Sequence, residues 1–120
     1  MSYEERAQEY GIATKDQLQQ VLRRGSDAVV LDVRSLQEIE ASGKFQAADH
    51  KWVQAPVTPD SAEELVNSSE VVLPDKEAPV VVYCKSGRRA STAKQALEAM
   101  GYKNVLNAGG YDDIKTMELA

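Results

Sequence analysis

The sequence predicts an α/β domain in which helices cover both faces of a central, mainly parallel sheet. Short β-favouring runs, such as VVLD and VVVY, alternate with segments of helical spacing, which is typical of repeated strand–helix units. The run DAVVLDVRS over 27–35 is largely apolar before it ends in charge, as expected for a strand buried on both faces. With 120 residues and no internal repeat or linker, the chain is predicted to form a single domain over 1–120.

Helix caps and glycine stops place the elements of the first third. Two sequences with capping-box spacing, TKDQ at 14–17 and SLQE at 35–38, predict the starts of two helices. Gly25 and Gly43 are predicted to end them, because glycine readily adopts the backbone conformation that follows a helix. The predicted strand over 27–35 lies between these two helices.

The middle of the chain is less regular. Residues 43–57 show no clear period, and we interpret them as a loop with one short strand over 51–55. The sequence TPDSAEELVNS then predicts a helix that is capped by Thr58 or Ser61. Pro59 would lie in its first turn, where proline is tolerated.

The strand–helix alternation returns in the last third. The predicted strand VVVY over 80–83 leads into Cys84, and a helix is predicted over 88–100. Gly101 is predicted to end that helix. Residues 104–119 predict a short strand, a Gly-Gly turn and a terminal helix.

Composition and charge argue against several functional classes. A net charge of -5 and a pI near 4.9 argue against general binding to nucleic acid or anionic membranes. A lone cysteine forms no internal disulfide, and without a Cys/His cluster we expect no metal and no cofactor. The polar, acidic N-terminus is unlike a secretory signal, so we expect a cytoplasmic location, which a processed organellar protein would match equally well.

The only cysteine lies where open α/β sheets bind ligands. Cys84 ends a predicted strand and directly precedes a helix N-terminus, so the helix dipole and the N–H groups of 85–89 can converge on its sulfur. Lys85, Arg88 and Arg89 add positive charge nearby. These effects favour a nucleophilic thiolate. A buried structural cysteine is the alternative, but such a residue usually lies inside an apolar run rather than at its exit.

Three segments resemble the single-domain rhodaneses, a family of sulfurtransferases. They are VVLDVRSLQEIEASG, VVVYCKSGRRASTAKQALEAMGYKNV and LNAGGYDD, and the resemblance spans about residues 11–118. It implies a rhodanese-like fold without a cofactor. It also implies that Cys84 takes the outer sulfur of a small anionic donor such as thiosulfate and forms a persulfide. An acceptor, which is cyanide, a thiol or a protein, would then remove that sulfur.

The resemblance also implies roles for the residues around the cysteine. Residues 84–89 would form the active-site loop, and we expect substrate to be bound by Lys85, Ser86, Gly87, Arg88 and Arg89. Asp32 and Arg34 are expected to support the loop. Asp32 would bond to loop backbone or a nearby cation, and Arg34 would anchor a carboxylate such as Glu38. An alternative role for Arg89 is to pair with a carboxylate such as Asp32.

Two features are interpreted as solvated surface. The acidic segment YEERAQEY near the N-terminus is expected to be an arm or a frayed turn. His50, the only histidine, is expected to be an exposed side chain, as a lone histidine in a loop usually is. We do not expect it to be catalytic, because the resemblance implies chemistry that needs no base to activate the cysteine.

Other functions stay open at this point. A small thiolate phosphatase or an arsenate reductase of related fold would use the same nucleophile. The related phosphatases have one more loop residue, however, and arsenate reduction usually needs a second cysteine. A non-catalytic rhodanese-like binding module is the other alternative, although such modules often lose the cysteine. The segment GKFQAADHKWVQA departs from the family's GHIPGA-like segment, with Lys44 in place of the histidine, so the donor and acceptor are left open.

Overall fold

The computed structural model describes residues 1–47 and 49–117 and contains helices and strands in alternation. The helices are α1 (Tyr3–Tyr10), α2 (Lys15–Val21), α3 (Leu36–Ser42), α4 (Glu63–Val72), α5 (Arg88–Ala99) and α6 (Tyr111–Ile114). The strands are β1 (Val29–Asp32), β2 (Lys51–Gln54), β3 (Val80–Cys84) and β4 (Val105–Gly110). In this part of the chain, no helix is long and apolar enough to cross a membrane.

The strands form one sheet with the order β2-β1-β3-β4, and every pairing between the described strands is parallel. The predicted α/β fold with a mainly parallel sheet is therefore confirmed. Because parallel strands end at the same edge, the sheet brings Asp32, Cys84 and Gly110 to one rim. Cys84 is paired directly with Gly110 across β3 and β4.

Helices cover both faces of the sheet, as predicted. Side chains alternate between the faces along each strand. On one face, Val82 and Cys84 belong to the cluster that includes Leu65 of α4 and Leu97 of α5. On the other face, Val81 and Tyr83 belong to the cluster that includes Leu18, Leu22 and Ile114. The cysteine thus lies on the α5 side.

Both predicted capping boxes are confirmed. The side chains of Thr14 and Ser35 each accept a hydrogen bond from the backbone N–H three residues ahead, which starts α2 and α3. β1 is shorter than the predicted strand, because the Arg34 N–H bonds to the Asp32 carboxylate (2.9 Å) instead of continuing the strand ladder. The predicted Gly-Gly turn is wrong, because both glycines belong to β4 and Gly110 pairs with Cys84. α6 ends at Ile114, and the end of the predicted terminal helix, 118–119, lies outside the described residues.

The interpretation of the N-terminal segment as an arm or frayed turn is wrong. Residues Tyr3–Tyr10 form helix α1, which a third capping box starts at Ser2 and Glu5 and which Gly11 ends with a φ of 69°. α1 contains no buried residue, so it lacks the apolar stripe that normally reveals a helix in a sequence. Its capping box is the signal that could have found it.

The predicted cap of the fourth helix is also wrong. α4 begins at Glu63, and its N-cap is Ala62, which makes no side-chain cap bond. Thr58 and Ser61 bond to each other through their backbones (3.0 and 3.4 Å) in a tight turn, so neither residue is the N-cap. The Ser61 hydroxyl still accepts the Glu63 N–H (3.2 Å), so it satisfies one free donor of the first turn from the position before the N-cap.

His50 is buried rather than solvated. Its Nε2 lies 2.8 Å from the Leu22 carbonyl, at the end of α2, so the imidazole ties the irregular segment after α3 to that helix. The burial of His50 could not be predicted from the sequence, because the segment around it shows no regular hydrophobic period.

Candidate active site

The sulfur of Cys84 is completely buried and is held by backbone donors. The residue is 0% exposed, and its Sγ accepts hydrogen bonds from the N–H groups of Gly87 (3.1 Å) and Ala90 (3.4 Å). Gly87 belongs to the predicted set of loop donors, whereas Ala90 lies one residue beyond it, in the first turn of α5. Burial by itself disfavours an anionic sulfur, but N–H donors and a helix N-terminus favour it.

The loop needs glycine at two neighbouring places. Gly87 has a φ of 101°, a left-handed conformation that other residues rarely adopt, and a Cβ there would lie 3.1 Å from Ile12. Gly110 on β4 lies so close to the loop that a Cβ would overlap the Lys85 carbonyl. The lack of a side chain at Gly110 thus lets the loop pack directly on the end of β4.

The structure divides the cations of the loop into two kinds. Arg89 donates two hydrogen bonds to the Glu38 carboxylate, at 2.6 and 2.8 Å, and both side chains are partly buried. The Arg89 guanidinium is the main reason why the pKa of Glu38 falls to about 2. Lys85 and Arg88 are exposed and make no ion pair within 1–47 and 49–117. These two cations are therefore open to an anionic ligand.

The supporting residues pair with each other. Arg34 donates to the Asp32 carboxylate from Nη2 (2.8 Å) and Nε (3.1 Å), and it is only 2% exposed. Its remaining N–H groups bond to Ser42 and to the Gly43 carbonyl, both at 2.8 Å. Asp32 thus bonds a nearby cation, as predicted.

Two predicted partners are exchanged. Arg34 pairs with Asp32 and not with Glu38, and Arg89 pairs with Glu38 and not with Asp32. The reason is geometric. Asp32 and Arg34 are two residues apart at the end of β1, where side chains share a side. Glu38 lies in the first turn of α3, where it meets the first turn of α5.

A family model for the rhodanese-like domain matches residues 14–117. The chain belongs to the rhodanese-like family. The match includes the loop of Cys84 and the Arg34–Asp32 and Arg89–Glu38 ion pairs, whereas α1 lies outside the matched residues.

Known relatives agree with this assignment. The thiosulfate sulfurtransferase PspE of Escherichia coli is 36% identical over 80 residues, which cover 57% of this chain and 76% of that protein. A solved Escherichia coli rhodanese with anions is 32% identical, with a TM-score of 0.57 over 72% of this chain and 91% of that one. The polysulfide-sulfur transferase homodimer of Wolinella succinogenes is 30% identical, with a TM-score of 0.60 over 85% and 70% of the two chains.

Two cavities flank the Arg89–Glu38 pair of this rhodanese-like domain. Arg89 lines a mostly apolar cavity of about 540 Å³, together with residues of the segment between β2 and α4, including Pro56, Val57 and Pro59. Glu38 lines a smaller cavity of about 190 Å³, together with Arg34, Ser42, Lys85, Tyr111 and Asp112. Since the smaller cavity carries an exposed loop cation, it is the better candidate to receive an anion.

The roles of two residues near the loop were not predicted from the sequence. Tyr83 precedes the cysteine, and its hydroxyl accepts from the Phe45 N–H and the Trp52 indole, both at 3.1 Å. Burial is the main cause that raises its pKa to about 12, so it stays a neutral phenol. Arg6 of α1 contacts the loop directly, because its Nη1 donates to the Ser86 carbonyl. Among the described residues, no group of three His, Cys, Asp or Glu side chains could hold a metal ion.

Proposed function

We propose that this thiosulfate sulfurtransferase-type enzyme moves a sulfane sulfur from a small anionic donor to a thiophilic acceptor through a persulfide on Cys84. The observation that carries the proposal is the placement of the Cys84 sulfur at the end of β3, where the Gly87 and Ala90 N–H groups both point at it. Such fixed donors stabilise negative charge on sulfur without reorganising during the reaction.

The proposed reaction has two displacements. The Cys84 thiolate attacks the outer sulfur of thiosulfate, a new S–S bond forms, and the donor S–S bond breaks with its electron pair on sulfite. The persulfide anion keeps one negative charge, which the two N–H donors stabilise. Cyanide, a thiolate or a protein thiolate then takes the outer sulfur and returns the Cys84 thiolate. Neither step transfers a proton, which agrees with the position of His50 away from the loop, at the end of α2.

The exposed loop cations fit the anionic donor. Lys85 and Arg88 are expected to attract thiosulfate and to neutralise the departing sulfite. Arg89 would act indirectly, since its charge is balanced by Glu38. We therefore assign substrate binding first to Lys85 and Arg88 and loop shape to Arg89.

The mass of the intact protein tests the proposal. Mixing with thiosulfate should add the mass of one sulfur atom, cyanide should remove it, and Cys84→Ser should show no gain. Mercaptopyruvate serves as a second donor. A reactive thiol that gains no sulfur from either donor would contradict the proposed donor class.

The phosphatase alternative predicts a different result in the same samples. The protein would hydrolyse an aryl phosphate, this activity would be lost in Cys84→Ser, and no persulfide would form. That result would favour a phosphatase over the proposed sulfurtransferase. The structure does not favour this outcome, because the last cation of the loop is already paired with Glu38 and is not available to a phosphate dianion. The acceptor, a thiol or a protein, and the cytoplasmic location remain predictions.

A further inference from the structure

Arg6 bridges the active-site loop and helix α6. Its Nη1 donates to the Ser86 carbonyl (2.8 Å) and to the Asp113 carboxylate (2.9 Å), and its Nη2 donates to the other Asp113 oxygen (3.0 Å). The side chains of Arg6 and Asp113 are 18% and 17% exposed, so the bridge is largely shielded from water.

The Ser86 carbonyl that Arg6 holds shares a peptide group with the Gly87 N–H. That N–H donates to the Cys84 sulfur. A trans peptide is planar, and its C=O and N–H point in opposite directions. Holding the oxygen on one side therefore aims the hydrogen at the sulfur on the other side.

Without such an anchor, this peptide could rotate. Gly87 has no Cβ and accepts both positive and negative φ, so the Ser86–Gly87 peptide meets little local resistance to a flip. A flipped peptide would point the Ser86 oxygen at the sulfur and would repel an anion there. Asp113 keeps the guanidinium in place and also accepts the Gly110 N–H at 2.7 Å.

We propose that Arg6 is a positioning residue for sulfur transfer, which fixes the Ser86–Gly87 peptide so that its N–H faces the sulfur of Cys84. The proposal rests on the proposed function for its role in catalysis, but its geometry can be tested separately. Arg6 belongs to α1, so the anchor comes from a helix that lies outside the residues matched by the family model.

A second contact supports the docking of α1 against the loop. The Asn107 amide donates to the Tyr10 carbonyl (3.0 Å), at the end of α1, and to the Gly87 carbonyl (2.9 Å). The end of the helix and the loop thus share one side chain of β4. This contact orients α1, while Arg6 reaches the peptide that faces the sulfur.

Several charged groups surround the sulfur, and a pH experiment must account for them. They are Lys85 and Arg88 of the loop, Arg89 with Glu38, Arg34 with Asp32, and Arg6 with Asp113. Burial would raise the pKa of Asp113, but the Arg6 guanidinium and the Gly110 N–H hold it below its usual value. The Arg89 guanidinium lowers the pKa of Glu38 to about 2. The carboxylates of Glu38 and Asp113 therefore keep their charge across the neutral pH range.

The experiment compares Arg6→Ala with two controls. Arg24→Ala removes an exposed arginine elsewhere, and Glu5→Ala weakens the capping box of α1 but keeps Arg6. The rate of alkylation of Cys84 by iodoacetamide is measured against pH, and persulfide formation from thiosulfate is measured in parallel. Iodoacetamide reacts with the thiolate form of Cys84, and loss of an N–H donor makes that form less favourable. The Arg6→Ala alkylation curve should therefore move to higher pH. Persulfide formation should slow by about tenfold, as for the loss of one hydrogen bond to a charged group.

Each result decides the proposal. An Arg6→Ala alkylation curve that matches the wild type would overturn it, whatever happens to stability. An equal shift in Glu5→Ala would also overturn it, because helix docking and not the guanidinium would then be responsible. Arg6→Lys keeps the positive charge but lacks the forked donors, so it separates the peptide contact from the charge, and it should still show part of the shift. An Arg6→Lys curve that matches the wild type would overturn the proposal, because charge alone would then be responsible. The same variant serves if Arg6→Ala does not fold. If the wild type forms no persulfide, the proposed function fails while the alkylation curves still test Arg6.

Discussion

Arg34 and Arg89 each form an ion pair beside the loop of Cys84, but the two pairs are built differently. Arg34 bonds a carboxylate two residues away, and its pair is 2% and 0% exposed. Arg89 bonds a carboxylate 51 residues away, and its pair is 20% and 31% exposed, with a cavity on each side. The first pair is made by one strand end and belongs to the core. The second forms only when α3 and α5 meet, so it should control loop shape and respond to pH.

The largest effect is expected from breaking the buried pair. Asp32→Asn leaves the Arg34 guanidinium without its counter-charge in a buried site, which should lower the free energy of unfolding by about 3–5 kcal/mol. Urea unfolding measures this loss. The double variant that adds Arg34→Met removes both charges and should recover part of the stability. A loss in Asp32→Asn no greater than that of an exposed pair would mean that water reaches Arg34.

A smaller, pH-dependent effect is expected for the partly buried Arg89–Glu38 pair. The pKa of Glu38 is about 2 in the folded protein, against a usual value of 4.5, mainly because of Arg89. The stabilisation is therefore complete above the usual pKa and is lost as the pH falls toward about 2. Because solvent screens this pair, we expect about 1–2 kcal/mol. Urea unfolding at a series of acidic pH values should show this slope in the wild type and a weaker one in Glu38→Gln. Equal slopes would show that Glu38 is not the titrating group.

Lys85 and Arg88, the exposed cations of the loop, should affect substrate binding more than stability. Lys85→Ala and Arg88→Ala should each lower kcat/KM for thiosulfate roughly threefold to tenfold, with a weaker dependence on salt, because exposed charges act through screened attraction. Unfolding in urea should stay close to that of the wild type. Arg89→Ala is the contrasting variant, since it should lower stability as well. Unchanged kcat/KM in both single variants would mean that the donor binds elsewhere.

The smallest effect is expected from an ion pair far from the loop. Lys94 and Glu98 pair at 3.3 Å on the exposed face of α5. Lys94→Ala should change the free energy of unfolding by less than about 0.5 kcal/mol and leave sulfur transfer unaffected. A larger loss would indicate that the outer face of α5 has a structural contact beyond this pair.

The sequence predicted the parts of the fold that depend on local signals. The apolar runs gave β1 and β3, two capping boxes gave α2 and α3, and the glycine stops at Gly43 and Gly101 gave the ends of α3 and α5. The predicted stop at Gly25 was wrong, because α2 already ends at Val21 with Leu22 as its C-cap. Helix α1 was missed because it buries no side chain, so no apolar stripe marks it. The loop of Cys84 was located from its charges and its position at a strand end.

The pairing of charges could not be predicted in the same way. A sequence shows where charged residues occur but not which of them meet across 51 or 107 residues, as in Arg89–Glu38 and Arg6–Asp113. For this reason the partners predicted for Arg34 and Arg89 were the reverse of those observed. Likewise, a hydrogen bond from Arg6 to a backbone carbonyl leaves no trace in the identity of residue 86.

The close approach of Gly110 to the loop limits how this enzyme can vary. A Cβ at that position would overlap the carbonyl of residue 85, which is backbone and is therefore present whichever amino acid stands there. No substitution at Lys85 can make room for it. In a library that randomises both positions and is selected for sulfur transfer, position 85 should return many residues and position 110 only glycine.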